Sequence, residues 1–330
     1  MPRIVRFHEK GEPEVLRIEE VETAPPGPGE LQIAVKAIGL NRAESMFRSG
    51  PYVEEPVFPA RLGYEAAGIV TALGQGVEGF AKGDVISIVP PLSITRWGSY
   101  GEVATVPAAV AVKHPAELSF IEAAALWMAH VTAYGALVEL AGLKVAEYVL
   151  ITAASSSVGI AAIQTARAIG AIPIAATRTR AKAQALSKVG AAHVVVTQEE
   201  NLAEAVARHT GGQGARVAFD PVAGPALEQV FGAMAQNGIV IAYGALSPEP
   251  TPLPLFPLLA KNLRLAGYQY KEVVRDPQAL ERAKAFILDG LKRGALKPVI
   301  DKVFAFDEIV AAHRYLETNQ QFGKIVVEVQ

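Results

Sequence analysis

Two patterns of apolar and polar positions divide the chain. Up to about residue 120, short apolar runs at Arg3–Phe7, Leu31–Ile38, Ala66–Ala72, Val85–Val89 and Glu102–Val106 are separated by turn clusters such as Pro25-Pro-Gly-Pro-Gly29, Leu73-Gly-Gln-Gly76 and Lys82-Gly-Asp84. Many short strands with Gly/Pro turns predict a β-rich barrel or sandwich. From Ser119 to Leu143 the spacing turns helical, with Ser119 as N-cap and Gly142 as stop. From Tyr148 onward strands (Tyr148–Thr152, Ile172–Ala176, His193–Val196, Val217–Asp220, Gly238–Tyr243) alternate with helical stretches, the sign of a parallel sheet with helices on both faces. Leu255–Leu259 falls in a Pro-rich loop, Arg264–Tyr270 reads as a further strand and Pro277–Arg293 as a helix. A last strand, Lys324–Val329, is positioned to rejoin the first domain. No internal repeat or low-complexity tail is visible.

The stretch Glu147–Lys182 is the most informative. A buried strand runs into the small-residue turn Ala153–Gly159, an Ala-rich helical segment follows, and a second strand ends at Ala176. Such a strand–turn–helix–strand unit cradles a dinucleotide pyrophosphate at a helix N-terminus. The G-x-G-x-x-G slots read Ala154-x-Ser156-x-x-Gly159, so only the third glycine is present. Ser155, Ser156 and Ser157 offer hydroxyls to phosphate oxygens. An ordinary turn capped by serine fits the same residues. At the end of the second strand, Ala176-Thr177 stand where an NAD-preferring site places an acid, and Arg178, Arg180 and Lys182 follow. A guanidinium fork or ammonium holds a 2′-phosphate that a carboxylate would repel. A solvated basic helix start is the alternative, disfavoured because cations there oppose the helix dipole. The pattern predicts NADP(H).

Composition narrows the class. A chain of 330 residues, 51% hydrophobic and 19% charged, is expected to form two globular domains. A net charge of −2 without a basic block argues against nucleic acid or an anionic membrane as partner. The N-terminus lacks a signal-peptide core, and the apolar region Ala123–Leu143 is interrupted by His130, Thr132 and Glu139, so no membrane span and a cytoplasmic location are expected. There is no cysteine, which removes disulfides, thiolate nucleophiles and Cys-ligated zinc, and the six histidines have no metal-binding spacing. No metal site is expected.

Several local sequences occur together in one order: Ala37-Ile-Gly-Leu-Asn41-Arg, Arg48-Ser-Gly-Pro-Tyr52, Gly63-Tyr-Glu-Ala-Ala-Gly-Ile-Val70, Gly79-Phe-Ala-Lys-Gly-Asp84 and Gly98-Ser-Tyr-Gly-Glu102. Thr132-Ala-Tyr134, the Ala153–Gly159 turn, Ala312-His-Arg-Tyr-Leu-Glu317 and Gly323-Lys324-Ile-Val complete the set. Nearly end to end, the chain resembles the zinc-independent quinone oxidoreductase branch of the medium-chain dehydrogenase/reductase superfamily. The resemblance implies an α/β fold. A GroES-like β-rich barrel domain (residues 1–123 and 270–330) would carry the substrate side, and a Rossmann domain with a doubly wound parallel sheet (124–269) would bind NADP(H). Zinc-dependent members carry a Cys near Asn41 and Gly-His-Glu where this chain has Gly63-Tyr64-Glu65, so the Lewis-acid apparatus of alcohol oxidation is lost.

The resemblance also assigns roles. Thr132 is placed against the nicotinamide. Ala154, Ser155, Ser156, Ser157, Val158 and Gly159 form the phosphate turn, where nearer relatives have two adjacent glycines at Ser156 and Ser157. Lys182 matches the family's phosphate-binding lysine, Thr197 falls where relatives have a tyrosine near the 2′-phosphate, and Arg178 takes a slot often filled by a small residue, so the phosphate preference is kept with somewhat different residues. Tyr243-Gly244-Ala245, just past a strand end, lie where a parallel sheet places its ligand crevice, and Lys324 is a cofactor contact. Tyr52 has the spacing from Asn41 of a proton-donating tyrosine in enoyl thioester reductases, so Tyr52 and Asn41 are the candidate catalytic pair. Tyr52 as a shielding loop residue and Asn41 as a turn former fit equally well, whereas His130 reads as a helix histidine among apolar neighbours. The implied activity is NADPH-dependent, metal-independent reduction of a small-molecule quinone, enone or enoyl acceptor by a homodimer pairing through Arg264–Tyr270. The alternatives are an alcohol or carbonyl dehydrogenase and a non-catalytic, crystallin-like NADP(H)-binding protein.

Overall fold

The structure, a computed structural model, describes residues 1–50 and 52–330; Pro51, in the Arg48–Tyr52 motif, lies outside the described residues. The chain forms two compact units. One is Met1–Met128 together with Pro298–Gln330, and the other is Ala129–Lys297.

The first unit begins with β1 (Arg3–Phe7), β2 (Arg17–Glu20), β3 (Glu30–Gly39), β4 (Ala60–Arg61), β5 (Glu65–Leu73), β6 (Val85–Ile88), β7 (Val103–Pro107) and β8 (Ala111–Lys113). β1 pairs antiparallel with β2 and β4, while β3 carries β5 on one edge and also pairs with β7. Along β3 every second residue (Leu31, Ile33, Val35) is buried, the period of a strand with one face on a core. Its last residues are buried on both faces. There Ala37 packs with Ala67, Val326 and the alanines Ala123–Ala125 of the segment capped by Ser119. Ser119 Oγ accepts from Glu122 N at 3.2 Å, so the expected N-cap is present.

The second unit holds β9 (Tyr148–Ile151), β10 (Ile172–Thr177), β11 (His193–Val196), β12 (Ala215–Asp220), β13 (Met234–Ala242) and β14 (Arg264–Gly267). Among the described residues they form one parallel sheet in the order β11-β10-β9-β12-β13-β14. The chain steps outward from β9 to β11, then restarts on the other side of β9 with β12. Strand order therefore reverses between β9 and β12, and in such sheets ligands bind at the carboxyl ends beside that reversal. Val149, Leu150 and Ile151 are all buried, as a strand covered on both faces requires. Leu150, Ile174, Val195, Leu202, Val206, Leu227, Phe231 and Val240 form the core of one face. A GroES-like barrel and a doubly wound Rossmann sheet are the expected architecture.

Local departures from the expected elements have plain causes. The helix Arg42–Ser49 follows directly on β3 where only a turn was read, and Leu255–Ala260 is a short helix in the Pro-rich segment rather than loop. β14 ends at Gly267 instead of Tyr270, because Tyr270 already caps the helix Lys271–Arg275. The helix Pro277–Lys292 belongs to the second unit, which thus reaches Lys297 rather than 269. Arg282 donates to both carboxylate oxygens of Glu139 at 2.9 Å, Phe286 packs on Tyr134 and Gln164 exchanges hydrogen bonds with the Lys297 backbone. The stretch Phe120–Leu140 is long and apolar enough to cross a membrane, with a mean hydropathy of 1.3, but 83% of its apolar window lies inside the protein.

The chain returns to the first unit with β15 (Ile300–Ala305) and β16 (Lys324–Glu328), the latter inserted between β15 and the end of β3. The first residue of β16 carries a charge into the interior. The Lys324 ammonium donates to Asn41 Oδ1 at 2.6 Å and forms an ion pair with Glu65 Oε1, with both ionic side chains almost wholly buried. Glu65 Oε2 in turn accepts from Met128 N at 3.0 Å. Gly39 makes room for the lysine, since a Cβ there would stand 1.9 Å from Ala124 O and 2.9 Å from Lys324 Cε. Removing one partner of such a pair strands the other charge out of water, which costs about 3–5 kcal/mol. Lys324→Ala is therefore expected to lower stability by about that much in urea denaturation. A Lys324→Ala/Glu65→Ala double variant should lose far less than twice that amount.

Candidate active site

In the second unit the turn after β9 is shaped by backbone close to steric limits. Ala153 sits at φ 44°, a left-handed conformation that non-glycine residues seldom adopt. Gly159 has no room for a side chain, because a Cβ would meet Ala154 O at 2.6 Å. This is the helix-on-turn packing for which the third glycine of the dinucleotide turn is needed. Ser156 is the N-cap of the helix Ser157–Ile169, its Oγ accepting from Gly159 N at 3.0 Å. Ser155 Oγ accepts from Lys182 Nζ at 3.3 Å, which draws the end of the basic segment to the turn. Ala154 and Gly159 are buried, while Ser155, Ser156, Ser157 and Val158 are half-buried.

The basic segment divides its labour. Arg180 is taken by Glu199 in an exposed ion pair. Arg178 is exposed at the end of β10, and its guanidinium has no partner among the described residues. Thr197 is exposed at the end of the neighbouring β11 and donates to Thr177 O at 3.4 Å. The turn, Arg178, Lys182 and Thr197 are thus gathered at the carboxyl edge of one sheet. A helix N-terminus, a turn tight against it and an unengaged guanidinium fit a phosphorylated dinucleotide.

Next along the same edge, the Tyr243 ring stacks on Phe219 at 3.9 Å. Its hydroxyl is buried without a hydrogen-bond partner among the described residues, with Ser156 near it but outside hydrogen-bond geometry. Burial, and then the nearby Asp220, push the phenol well above its ordinary value. Gly244 is half-buried and Ala245 exposed just beyond it. Thr132 is buried in the helix Trp127–Tyr134 of this unit. Asp220, at the end of β12, had not been singled out. Its carboxylate accepts from the Thr152 hydroxyl and, at 2.7 Å, from Ala223 N. Burial nevertheless raises its pKa.

The first unit holds the two candidate catalytic residues. Asn41 is the N-cap of the helix Arg42–Ser49, and its side chain is fully engaged, Oδ1 by Lys324 and Nδ2 by Gly39 O at 3.1 Å. The cap is completed instead by Glu44, whose Oε2 accepts from Asn41 N at 2.7 Å. Glu44 also accepts from Tyr64 N at 2.9 Å and from the Tyr100 hydroxyl at 2.6 Å. Burial outweighs these donors and raises the Glu44 carboxyl to about 7. Tyr52 is half-buried with Phe47 edge-on to its ring, and its hydroxyl lies 2.6 Å from that of Tyr64. Lys324, expected at the cofactor, has its ammonium inside this unit.

Tyr64 and Glu44 were not among the expected site residues. Glu44 was recoverable from its place three residues after Asn41, the spacing of a capping box. Tyr64 had been noted only as the loss of a metal-binding histidine. The hydroxyl contact that gives it a role depends on the loop carrying Tyr52.

A parallel sheet with a tight phosphate turn, joined to a barrel that carries phenols and a lysine–carboxylate cluster, defines a nicotinamide-dependent dehydrogenase or reductase. Residues 157–286 match the zinc-binding dehydrogenase family and residues 27–116 the alcohol dehydrogenase GroES-like domain. The chain is 31% identical to a 2-haloacrylate reductase of Burkholderia sp and 32% identical to quinone oxidoreductase 1 of Escherichia coli K12, each match covering 97% of both chains. It superposes on the crystal structure of Escherichia coli quinone oxidoreductase complexed with NADPH with a TM-score of 0.91 and 30% identity, covering 99% of this chain and 100% of that one. The chain belongs to the quinone oxidoreductase-like branch of the medium-chain dehydrogenase/reductases, and it is an oxidoreductase.

The buried polar network extends to His313, whose Nε2 is 3.3 Å from the Tyr100 hydroxyl and whose Nδ1 has no partner among the described residues. Burial, with a smaller contribution from Arg48, lowers its pKa to about 3. The folded state then refuses a proton that the unfolded chain accepts below about 6.5. The stability this neutral imidazole allows is complete above that pH and lost as pH falls toward 3. Between pH 6.5 and 4.5, urea denaturation should show the natural protein losing stability more steeply than His313→Leu, by up to about 1.4 kcal/mol per pH unit.

Proposed function

We propose that this protein is an NADPH-dependent, metal-independent reductase that adds hydride to a quinone or to a C=C bond conjugated with a carbonyl, as in enones and enoyl thioesters. The observation that carries it is the Tyr52–Tyr64 hydroxyl pair, in which Tyr64 stands where the Gly-His-Glu of zinc relatives has its histidine. A phenol there supplies a proton, and the neighbouring Asn41 amide is already spent on an ammonium, so the donor set is not one that zinc prefers. The likeness to a 2-haloacrylate reductase and to quinone oxidoreductases supports acceptors whose double bond is conjugated.

The dinucleotide, when bound, supplies the hydride. The chain's residues would do the rest. The N-terminus of the helix Ser157–Ile169 would hold the pyrophosphate, with Ser155, Ser156, Ser157 and Val158 around it and Gly159 permitting the close approach. Arg178 and Lys182, beside Thr197, would hold the 2′-phosphate, Tyr243, Gly244 and Ala245 would border the crevice at the strand end, and Thr132 would contact the nicotinamide. Tyr52 would donate a proton to the reduced acceptor, and Asn41, whose N–H is held by the same Glu44 carboxyl that holds Tyr64 N, would help fix the residues beneath it. Burial together with Glu54 and Glu44 raises the Tyr52 phenol to about 12, so it stays protonated at neutral pH.

A second copy of the chain is the proposed partner. β14 is the edge of the parallel sheet, and Leu255, Phe256 (84% exposed), Leu259 (67% exposed) and Leu265 stand on or near it. Pairing two edges about a two-fold axis would cover these side chains and the open backbone groups.

Two measurements test the proposal. NADPH should bind more tightly than NADH, because charged phosphate contacts contribute roughly 1.5–3 kcal/mol each, and Arg178→Ala/Lys182→Ala should erase the difference. Equal dissociation constants in the unmodified protein would rule the preference out. Light scattering at micromolar concentration should give twice the chain mass, falling to one chain in Phe256→Glu; a monomer from the outset rejects the dimer.

A further inference from the structure

We propose that Tyr64 is a positioning residue for proton transfer, donating its own hydroxyl proton to the Tyr52 oxygen so that the single proton of Tyr52 is left for the acceptor. This rests on the assignment of Tyr52 as the acid.

The two oxygens are 2.6 Å apart, close enough that one must donate to the other. A phenol has one proton. If Tyr52 gave it to Tyr64, none would remain for a substrate. The inner ring is the fixed one. Tyr64 is wholly buried, and its backbone N is held by Glu44 Oε1 at 2.9 Å. The outer ring, Tyr52, is half-buried and reaches solvent. A donor on the inside and a free proton on the outside is the polarity that suits an acid.

The chemistry of the step requires such a donor. NADPH, when bound, would supply the hydride that bonds to the β-carbon of the enone and would leave as NADP+; the C=C π pair would shift to the α-carbon, and the O–H bond of Tyr52 would break as its proton bonds there. The electron pair of that O–H bond stays on Tyr52 as phenolate, which later regains a proton from water. Charge thus develops on an oxygen faced by Glu54 and by the buried carboxyl of Glu44, both of which disfavour it, and the Tyr64 hydroxyl is the neighbour that favours it. Glu54 is itself held in place, accepting from Ser93 Oγ at 2.5 Å and Thr95 N at 3.1 Å. A preformed donor aimed at developing negative charge is worth most in the transition state.

The test uses the full chain with NADPH and cyclohexenone, in Tyr52→Phe, Tyr64→Phe, their double variant, and Tyr64→Leu as a second way to remove the donor. Tyr64→Phe is expected to lower kcat about ten- to a hundredfold, leaving KM for cyclohexenone and the NADPH dissociation constant within twofold. In the Tyr52→Phe background it should add nothing. In protein labelled with ζ-13C-tyrosine, the Tyr52 resonance, assigned by its disappearance in Tyr52→Phe, should shift in both Tyr64 variants without any substrate. A Tyr52 resonance that stays in place overturns the inference, whatever the acceptor. So does a Tyr64→Phe loss of equal size with and without Tyr52, or one that lies in KM. If Tyr52→Phe reduces cyclohexenone at the full rate, it is the assignment of Tyr52 as acid that fails, and the resonance shift then reports a hydroxyl pair without a catalytic use.

Discussion

A buried lysine must be answered by a buried carboxylate, and in this protein Lys324 and Glu65 answer each other. An isolated charge at either place would cost several kcal/mol, and even a paired one is tolerable only when its remaining hydrogen-bonding capacity is filled. Asn41 and the backbone of Met128 fill it. The requirement dictates much around it. Gly39 has no side chain because the Ala124 carbonyl and the lysine stem pass there, the Asn41 side chain turns inward to the lysine, and Glu44 completes the cap. Glu44 then becomes a second buried carboxyl, which recruits Tyr100 and the backbone of Tyr64. The loop phenols are thus held by a network whose origin is one salt link at the end of a sheet.

The second unit is organised by the opposite means. Its phosphate turn depends on the absence of side chains rather than their presence, with Gly159 against Ala154 and an alanine where the left-handed conformation would suit glycine better. Ser156 and Ser157 stand where nearer relatives have glycines without breaking this geometry, because Ser156 caps the helix through its own hydroxyl. At the carboxyl edge of this sheet Arg178 is the cation whose guanidinium is exposed and without a partner among the described residues, and on the proposed reading it meets the far end of the dinucleotide.

Most of the architecture was legible in the sequence. The apolar runs of the parallel sheet, the Ser119 cap and the helix from Pro277 are local signals, and local signals survive without coordinates. The tight turn between β9 and the helix Ser157–Ile169 was legible for the same reason. What escaped depended on distant partners. The helix at Arg42 starts at an asparagine whose side chain is spent on Lys324, and the helix at Leu255 is hidden by prolines at its edges. Asp220 looks like any strand-end acid until Thr152 and Ala223 are seen around it. Tyr64 registered only as a missing histidine, because a hydroxyl contact between two loops leaves no periodicity behind.

The chain distance across that first salt link bears on how the protein is made. Glu65 and Lys324 are 259 residues apart, and a ribosome adding about 5–20 residues per second needs roughly 13–50 seconds to cover that span. The second unit, Ala129–Lys297, is continuous and wholly synthesised within the interval, so it is free to fold first. During that wait the nascent barrel lacks β15 and β16, and its interior carboxylate has no counter-charge. A chaperone acting on this protein would find its client in the half-finished first unit, which begins to emerge before the second unit and is completed after it.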